Sequence, residues 1–279
     1  MDDYEARHYP LARVIHDALI PPDLPPVPGV SLALRAHYGE RETNVGGDFA
    51  DVFQVDGLFG LTWGDISGRG REAASLAVMA KYMLRALAFR DPRPASVCYH
   101  LNRVLEYTLE SEHFLSLVYA TYEPGGRELA ITNCGGWAPL LFRGGTVQAI
   151  NVRGPLLGAV AERQYGQVQL MLDPGDILVG FTDGIPEARR GADVMGTGAV
   201  ETILLEHSDE GETVLSGLIM NAAKRFAGGT LQDDAVQPIV FAGANPSTTL
   251  TSVSKQIQSM LGPASTAKKG LGKAVKKGS

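Results

Sequence analysis

Aspartate recurs where apolar, strand-like runs begin or end in this chain, at Asp48, Asp65, Asp183 and the pair Asp233-Asp234. It is a poor strand former and costly to bury beside other carboxylates unless a cation compensates. No lysine or arginine lies in the adjoining runs. Oxygen donors clustered without His or Cys select hard ions such as Mg²⁺ or Mn²⁺. The six histidines, His8, His16, His37, His100, His113 and His207, include neither an i, i+4 pair nor an HxH, which argues against a zinc hydrolase. Two ions about 3.5–4 Å apart would share a carboxylate and lower the pKa of a water for in-line attack on phosphorus. Each motif alone is more often a turn than a ligand. Their co-occurrence, each tied to an apolar strand, carries the expectation of a metal site.

The elements that must position these carboxylates are legible around Val45 to Gly70. Two runs, Phe49 to Val55 and Leu58 to Trp63, flank Asp56-Gly57, a dipeptide suited to the positive φ angles of a two-residue hairpin turn. Antiparallel pairing then brings Asp48 and Asp65 to the same sheet edge. Upstream, spaced apolar residues from about Glu5 to Ile20 predict an amphipathic helix that includes Leu11 and Ile15, followed by the extended break PPDLPPVPG. This helix either docks on the body or stands off it as a lever and a self-association surface. Downstream, helices are expected at Arg71 to Phe89 and Pro94 to Glu110, separated by Asp91-Pro92-Arg93-Pro94. Strands follow at 115–122, 128–133, 139–142, 146–150, 166–172 and 177–181, then helices near 198–207 and 212–226 and a last strand at 235–241. Antiparallel strands interrupted by paired helices indicate an α+β fold with packed sheets and helices on the outer faces.

Composition narrows the function. Of 279 residues 44% are hydrophobic, enough for a sizeable core in one domain. The net charge is −6, yet six lysines and no acidic residue follow Phe241, which leaves −12 on everything before them. An acidic body argues against nucleic-acid binding and suits a site that gathers cations. Cys98 and Cys134 lack metal or redox spacing and read as buried thiols in a reducing cytoplasm. The most apolar helix is interrupted by Lys81 and Arg85, so no membrane span is expected. The expected organisation is an N-terminal helix and linker over 1–25, a catalytic domain over 26–242 and a Lys-rich tail over 243–279.

Together, VGGDFADVF, GDISGRGREAA, FTDGIPEAR and DDAV, in this order, resemble the motifs of bacterial metal-dependent protein phosphatases related to sporulation protein IIE and to stress-response sigma-factor regulators, within the protein phosphatase 2C (PPM) superfamily. The resemblance runs from about Leu24 to Phe241. It implies an αββα sandwich with the metal site at one edge of two sheets, and two Mn²⁺ or Mg²⁺ ions. It implies that Asp48 and Asp65 are metal ligands, with Asp65 bridging, that the Ile66 carbonyl ligates, that Asp183 is the acidic residue of the TDG motif, and that Asp233 is the ligand of the last motif, with Asp234 beside it. The chain departs from the pattern at Val236, where the family usually has Thr, at Ala50, where it often has Tyr, and at Ser67, where eukaryotic relatives carry His. No arginine is assigned to the phosphate, although Arg41 and Arg69 are candidates.

The activity so implied is serine/threonine phosphoprotein phosphatase, with catalytic Asp48, Asp65 and Asp183. Its substrate would be a signalling protein of the anti-sigma-factor-antagonist type, its control a regulatory protein or a homodimer formed through the N-terminal helix. The alternatives are a non-catalytic binding module of the same fold, favoured by Val236, and a hydrolase of small phosphate esters.

Overall fold

The computed structural model describes residues 10–38, 46–161 and 163–243, with side chains from Arg13 onward. The Lys-rich tail, Arg41 and the side chain of Leu11 lie outside the described residues. In chain order the elements are α1 (Pro10–Leu19), β1 (Val30–His37), β2 (Asp48–Val55), β3 (Leu58–Ile66), α2 (Gly70–Arg90), α3 (Pro94–Thr108), β4 (Leu115–Glu123), β5 (Glu128–Cys134), β6 (Leu140–Arg143), β7 (Thr146–Ala149), β8 (Val168–Met171), β9 (Ile177–Val179), β10 (Arg189–Arg190), β11 (Asp193–Val194), α4 (Gly198–Glu206), α5 (Glu212–Phe226) and β12 (Ala235–Ala242).

Two five-stranded antiparallel sheets carry the fold, ordered β2-β3-β4-β5-β8 and β1-β12-β9-β6-β7. Helices α2 and α3 cover the first sheet, and α4 and α5 cover the second, so the expected αββα sandwich is present. Strand β2 is buried at every position but Gln54, because it is packed on both faces. One core, with Phe49, Leu61, Leu84, Leu101, Tyr119 and Val240, lies under α2 and α3 and between the sheets. Another, with Ile177, Phe181, Leu204, Leu215 and Ile239, lies under α4 and α5. Cys98 and Cys134 are both buried and free, and they meet in the first core, where burial pushes the Cys134 thiol up.

The central hairpin forms as the sequence predicts, with Asp56 and Gly57 at φ 48° and 79°. One difference is the β10–β11 hairpin, which the sequence does not signal because its two-residue strands are exposed and too short to show a period. The other is that β9 stops at Val179 rather than Phe181. Opposite it, Pro238 in β12 has no N–H to donate, so the bond next to Ile239↔Val179 is one-way, Gly180 N to Pro238 O (2.9 Å), while at the following position Thr182 N donates to Val236 O (3.0 Å) and Val236 N turns to the Thr182 hydroxyl. The chain from Gly180 onward is thereby freed to turn toward the sheet edge.

Helix α1 docks on α2, with Leu19 fully buried. The Lys81 ammonium of α2 donates to the terminal carbonyls of α1, Ala18 O at 2.7 Å and Leu19 O at 3.1 Å. A cation at a helix C-terminus satisfies carbonyls that have no intrahelical partner. Asp51 of β2, 1% exposed, faces Lys81 at 3.7 Å and takes a two-pronged contact from Arg85, Nη2 to Oδ1 at 2.8 Å and Nε to Oδ2. One buried carboxylate therefore ties α1, α2 and β2 together.

Candidate metal centre

The hairpin register sets Asp48 directly opposite Asp65, which places both carboxylates on one edge of the first sheet. Asp183 arrives from the second sheet, on the segment released beyond β9. One carboxylate oxygen from each of the three lies within 4.8 Å of the other two. Asp48 is held by Thr182, whose hydroxyl donates to Asp48 Oδ2 at 2.5 Å and accepts from Val236 N at 2.8 Å. The departure at Val236 is thus accommodated: the backbone at this position supplies the donor, and its side chain is fully buried in the core.

Glycines let the backbone close around this edge. A Cβ on Gly47 would sit 2.5 Å from the Ile66 carbonyl and 2.7 Å from Asp65 Oδ1, so only glycine permits that approach. A Cβ on Gly184 would lie 1.8 Å from the Asp234 carbonyl.

Burial, then the Asp65 charge, raises the Asp48 carboxyl well above the usual range, against the lowering effect of the Thr182 hydrogen bond. Burial and the Asp183 charge push Asp65 up to about 7; burial and the Asp233 charge push Asp183 up to about 6. The shared cause is crowding of carboxylates out of water, and a divalent cation relieves it. An unfolded carboxyl titrates near about 3.9. These raised groups therefore contribute stability that is complete below that value and lost as pH rises through about 6 and about 7. Metal-free protein should melt lower at pH 8 than at pH 5, by a margin that narrows in Asp183→Asn and on adding Mn²⁺. A margin unaffected by either change in calorimetric scans would contradict this account.

The structure brings Asp48, Asp65 and Asp183 together and sets the Ile66 carbonyl beside Gly47. Asp233 is exposed and Asp234 is buried, and neither joins the 4.8 Å group, although both charges act on Asp65 and Asp183. Asp233 lines a neighbouring cavity of about 570 Å³ with Asp183, Glu187, Arg189 and Arg69, so one of the two arginines singled out from sequence faces the site. Three contributors escaped sequence reasoning. The Thr182 hydroxyl was inside a recognised motif but had no assigned role. His113 places Nδ1 3.0 Å from Ser67 O, and Phe114 N donates to Ser67 Oγ at 2.9 Å, so the loop after Asp65 is gripped from the α3–β4 connection. Neither contact has a local sequence signal, since more than forty residues separate the partners.

Comparison with known proteins agrees with this geometry. The model of the family "Stage II sporulation protein E (SpoIIE)" matches residues 56–240. Phosphoserine phosphatase RsbU of Bacillus subtilis is 24% identical over 163 residues, 58% of this chain and 49% of that protein. Protein IcfG of Synechocystis is 23% identical over 180 residues, 54% of this chain and 28% of that protein. The chain therefore spans half or less of the curated relatives it matches. Among solved structures, the RsbU and RsbW domains of a Mycobacterium tuberculosis protein superpose with a TM-score of 0.67 at 19% identity, covering 85% of this chain and 70% of that one. The PP2C domain of SiaA from Pseudomonas aeruginosa gives 0.66 at 16%, covering 76% and 85%. The PP2C phosphatase domain of SpoIIE from Bacillus subtilis gives 0.65 at 16%, covering 76% and 63%. At these identities the structural likeness shows the fold.

Proposed function

Because the chain belongs to the SpoIIE family, whose model covers about two thirds of it, we propose that it is a metal-dependent serine/threonine phosphoprotein phosphatase using two Mn²⁺ or Mg²⁺ ions. The observation that carries this reading is the convergence of Asp48, Asp65 and Asp183 from two sheets, with pKa values raised by burial and by one another's charge. An all-oxygen donor set of this kind fits hard divalent ions. Asp48, Asp65, Asp183 and the Ile66 carbonyl would hold them, with Asp233 and Asp234 completing the set. The bound ions supply Lewis-acid polarisation of the phosphoryl group and a nucleophilic water of lowered pKa.

The chain's own residues prepare that site. The Thr182 hydroxyl donates to Asp48 Oδ2 and so fixes the orientation of that carboxylate at the site. Gly47 lets the Ile66 carbonyl and Asp65 approach from one side. Arg69, at the wall of the cavity beside Asp183, is the residue we assign to the phosphate. Ser67 is engaged with the backbone of Phe114 and Glu112, so protonation of the leaving alkoxide falls to water.

The relative RsbU, described as a phosphoserine phosphatase, supports a phosphoserine or phosphothreonine substrate on a signalling protein of the anti-sigma-factor-antagonist type. No described helix is long and apolar enough to cross a membrane, and we place the protein in the cytoplasm. Regulation would enter through α1, by a partner protein or a second copy, since Lys81 connects that helix to α2 and α2 follows directly on the loop after Asp65. The test is hydrolysis of a phosphoserine peptide by the purified protein with Mn²⁺, with Mg²⁺ and with EDTA. Turnover should require the metal and stop with EDTA. Turnover that persists in EDTA would refute the reading, and absence of both turnover and metal uptake would favour a binding module.

A further inference from the structure

Beside the carboxylate cluster the edge of the two sheets opens into a second cavity of about 250 Å³, which Arg69 does not line. Asp65 and Asp183 stand at its boundary, and Trp63, Phe114, Leu156 and Trp137 are among the residues that line it. Two of these aromatics are exposed well beyond what a core side chain would be, Trp137 at 37% and Phe114 at 39%. Both are nevertheless rigidly mounted. Asn133, 2% exposed, clasps the turn that carries Trp137, donating to Gly136 O at 3.0 Å and accepting from Gly136 N at 2.8 Å. Phe114 is held through its backbone by Ser67, Ser67 N donating to Phe114 O at 2.8 Å and Phe114 N to Ser67 Oγ at 2.9 Å. Gly135, at φ 79°, closes the turn against Leu156, where a Cβ would lie 2.4 Å from Leu156 Cδ2. Trp63, 2% exposed, keeps an indole N–H without a partner among the described residues.

A surface that spends a buried asparagine and a positive-φ glycine on displaying an indole to solvent is built to receive something apolar. Its position defines what. We propose that this cleft is a specificity subsite that receives an apolar side chain adjacent to the phosphorylated residue of a protein substrate, with Trp137 and Phe114 as its walls. The proposal rests on the phosphatase reading, because it takes the phosphate to lie at Asp65 and Asp183. With the phosphate there, the neighbouring residue of an extended segment, one Cα step of about 3.8 Å away, reaches the cleft that begins at the same two carboxylates. The volume is below the range of about 300–1,000 Å³ that holds whole small ligands and suits one side chain of the size of Leu or Phe. With Asp65 and Asp183 engaged by the metal ions, Glu187 is the remaining carboxylate at the border of the cleft, and an acidic side chain there gains nothing from the apolar walls and meets its charge.

The chain has two tryptophans, one buried and one exposed into this cleft, and fluorescence therefore reports its occupancy independently of turnover. Phosphoserine peptides differing only in having Leu, Ala or Asp beside the phosphoserine are titrated into the full chain with Mn²⁺, and acrylamide quenching and hydrolysis are followed together. The Leu peptide should protect the exposed tryptophan from quenching at least twofold and exceed the Asp peptide in kcat/KM by about tenfold or more, the scale on which an apolar pocket discriminates. Trp137→Ala should remove the protectable emission and lower kcat/KM for the Leu peptide about tenfold relative to that for p-nitrophenyl phosphate. Protection without hydrolysis would uphold apolar binding in the cleft and overturn its role as a specificity subsite in turnover by the chain alone. Hydrolysis with no protection, or equal rates for the three peptides, would overturn the subsite and leave the phosphatase standing. Neither protection nor hydrolysis would overturn both.

Discussion

Asp65→Asn should reduce metal-dependent phosphopeptide turnover by about 10³-fold or more, the scale of removing one preorganised electrostatic group from an active site, while leaving the metal-free protein as stable as before or more so. The two effects have one cause. Asp65 shares the cluster with Asp48 and Asp183, and its carboxyl is pushed up to about 7 by burial and by the Asp183 charge, so its ionised form is strained whenever no cation is present. Asparagine keeps the shape and the hydrogen-bonding capacity but removes the charge that a divalent ion needs. Opposite movements of activity and stability are the signature of a site whose strain belongs to its function. Steady-state rates across a Mn²⁺ titration, with calorimetric melting in EDTA, check both halves. Full turnover at unchanged Mn²⁺ demand would remove Asp65 from the site. A large drop in metal-free melting temperature would mean that it serves the fold instead.

Asp51→Ala should be the most damaging single change to stability away from the metal site, at about 3–5 kcal/mol, the range for removing one partner of a buried ion pair. Asp51 is 1% exposed and faces Lys81, itself 2% exposed, as well as the Arg85 guanidinium. Burial already lowers the Lys81 pKa to about 8, so the ammonium keeps its proton in the core largely through Asp51. Without that carboxylate, Lys81 must either lose its proton or pull away, and the carbonyls of Ala18 and Leu19 at the end of α1 lose their donor. For a protein of this size the loss amounts to a melting shift of the order of 10 °C. Pairing Asp51→Leu with Lys81→Met replaces the two buried ions by apolar groups and leaves the Arg85 guanidinium, whose side chain is 34% exposed, to turn to solvent, and should recover much of that stability, since such exchanges are often neutral. The recovered protein should still show faster amide exchange in α1. A single variant that melts within about 1 °C of the parent would show that the network carries no such load.

Much of this arrangement is already present in the linear order of residues. Asp56-Gly57 between two apolar runs determines a hairpin, and the two-residue turn determines its register; Asp48 opposite Asp65 follows without any knowledge of the rest. The long apolar helices after Gly70, bounded by Asp91 and Pro94, follow equally from periodicity and proline. These features are local, set by turn chemistry and by hydrogen bonds between near neighbours. Spacing and periodicity do not set what crosses from one sheet to the other; Asp183 and Asp233 are tied to the Asp48–Asp65 edge in the sequence only through the resemblance of their motifs, and the tertiary structure decides the contacts. Thr182 reaches Asp48 over a separation of 134 residues, and Asp183, next to it, completes the triad from beyond the end of β9, where Pro238 offers no N–H to Gly180. Asp233 and Asp234 are adjacent and chemically identical, yet one is exposed and the other buried, a difference set by how the segment before β12 packs against Gly46 and Gly184. The same holds for α1, docked through a lysine more than sixty residues away, and for the cleft at Trp137, whose other lining residues come from four separate stretches of chain. Alternation and helical period encode which face of an element is apolar; they carry no information about which distant face it meets, and at this site that meeting is the chemistry.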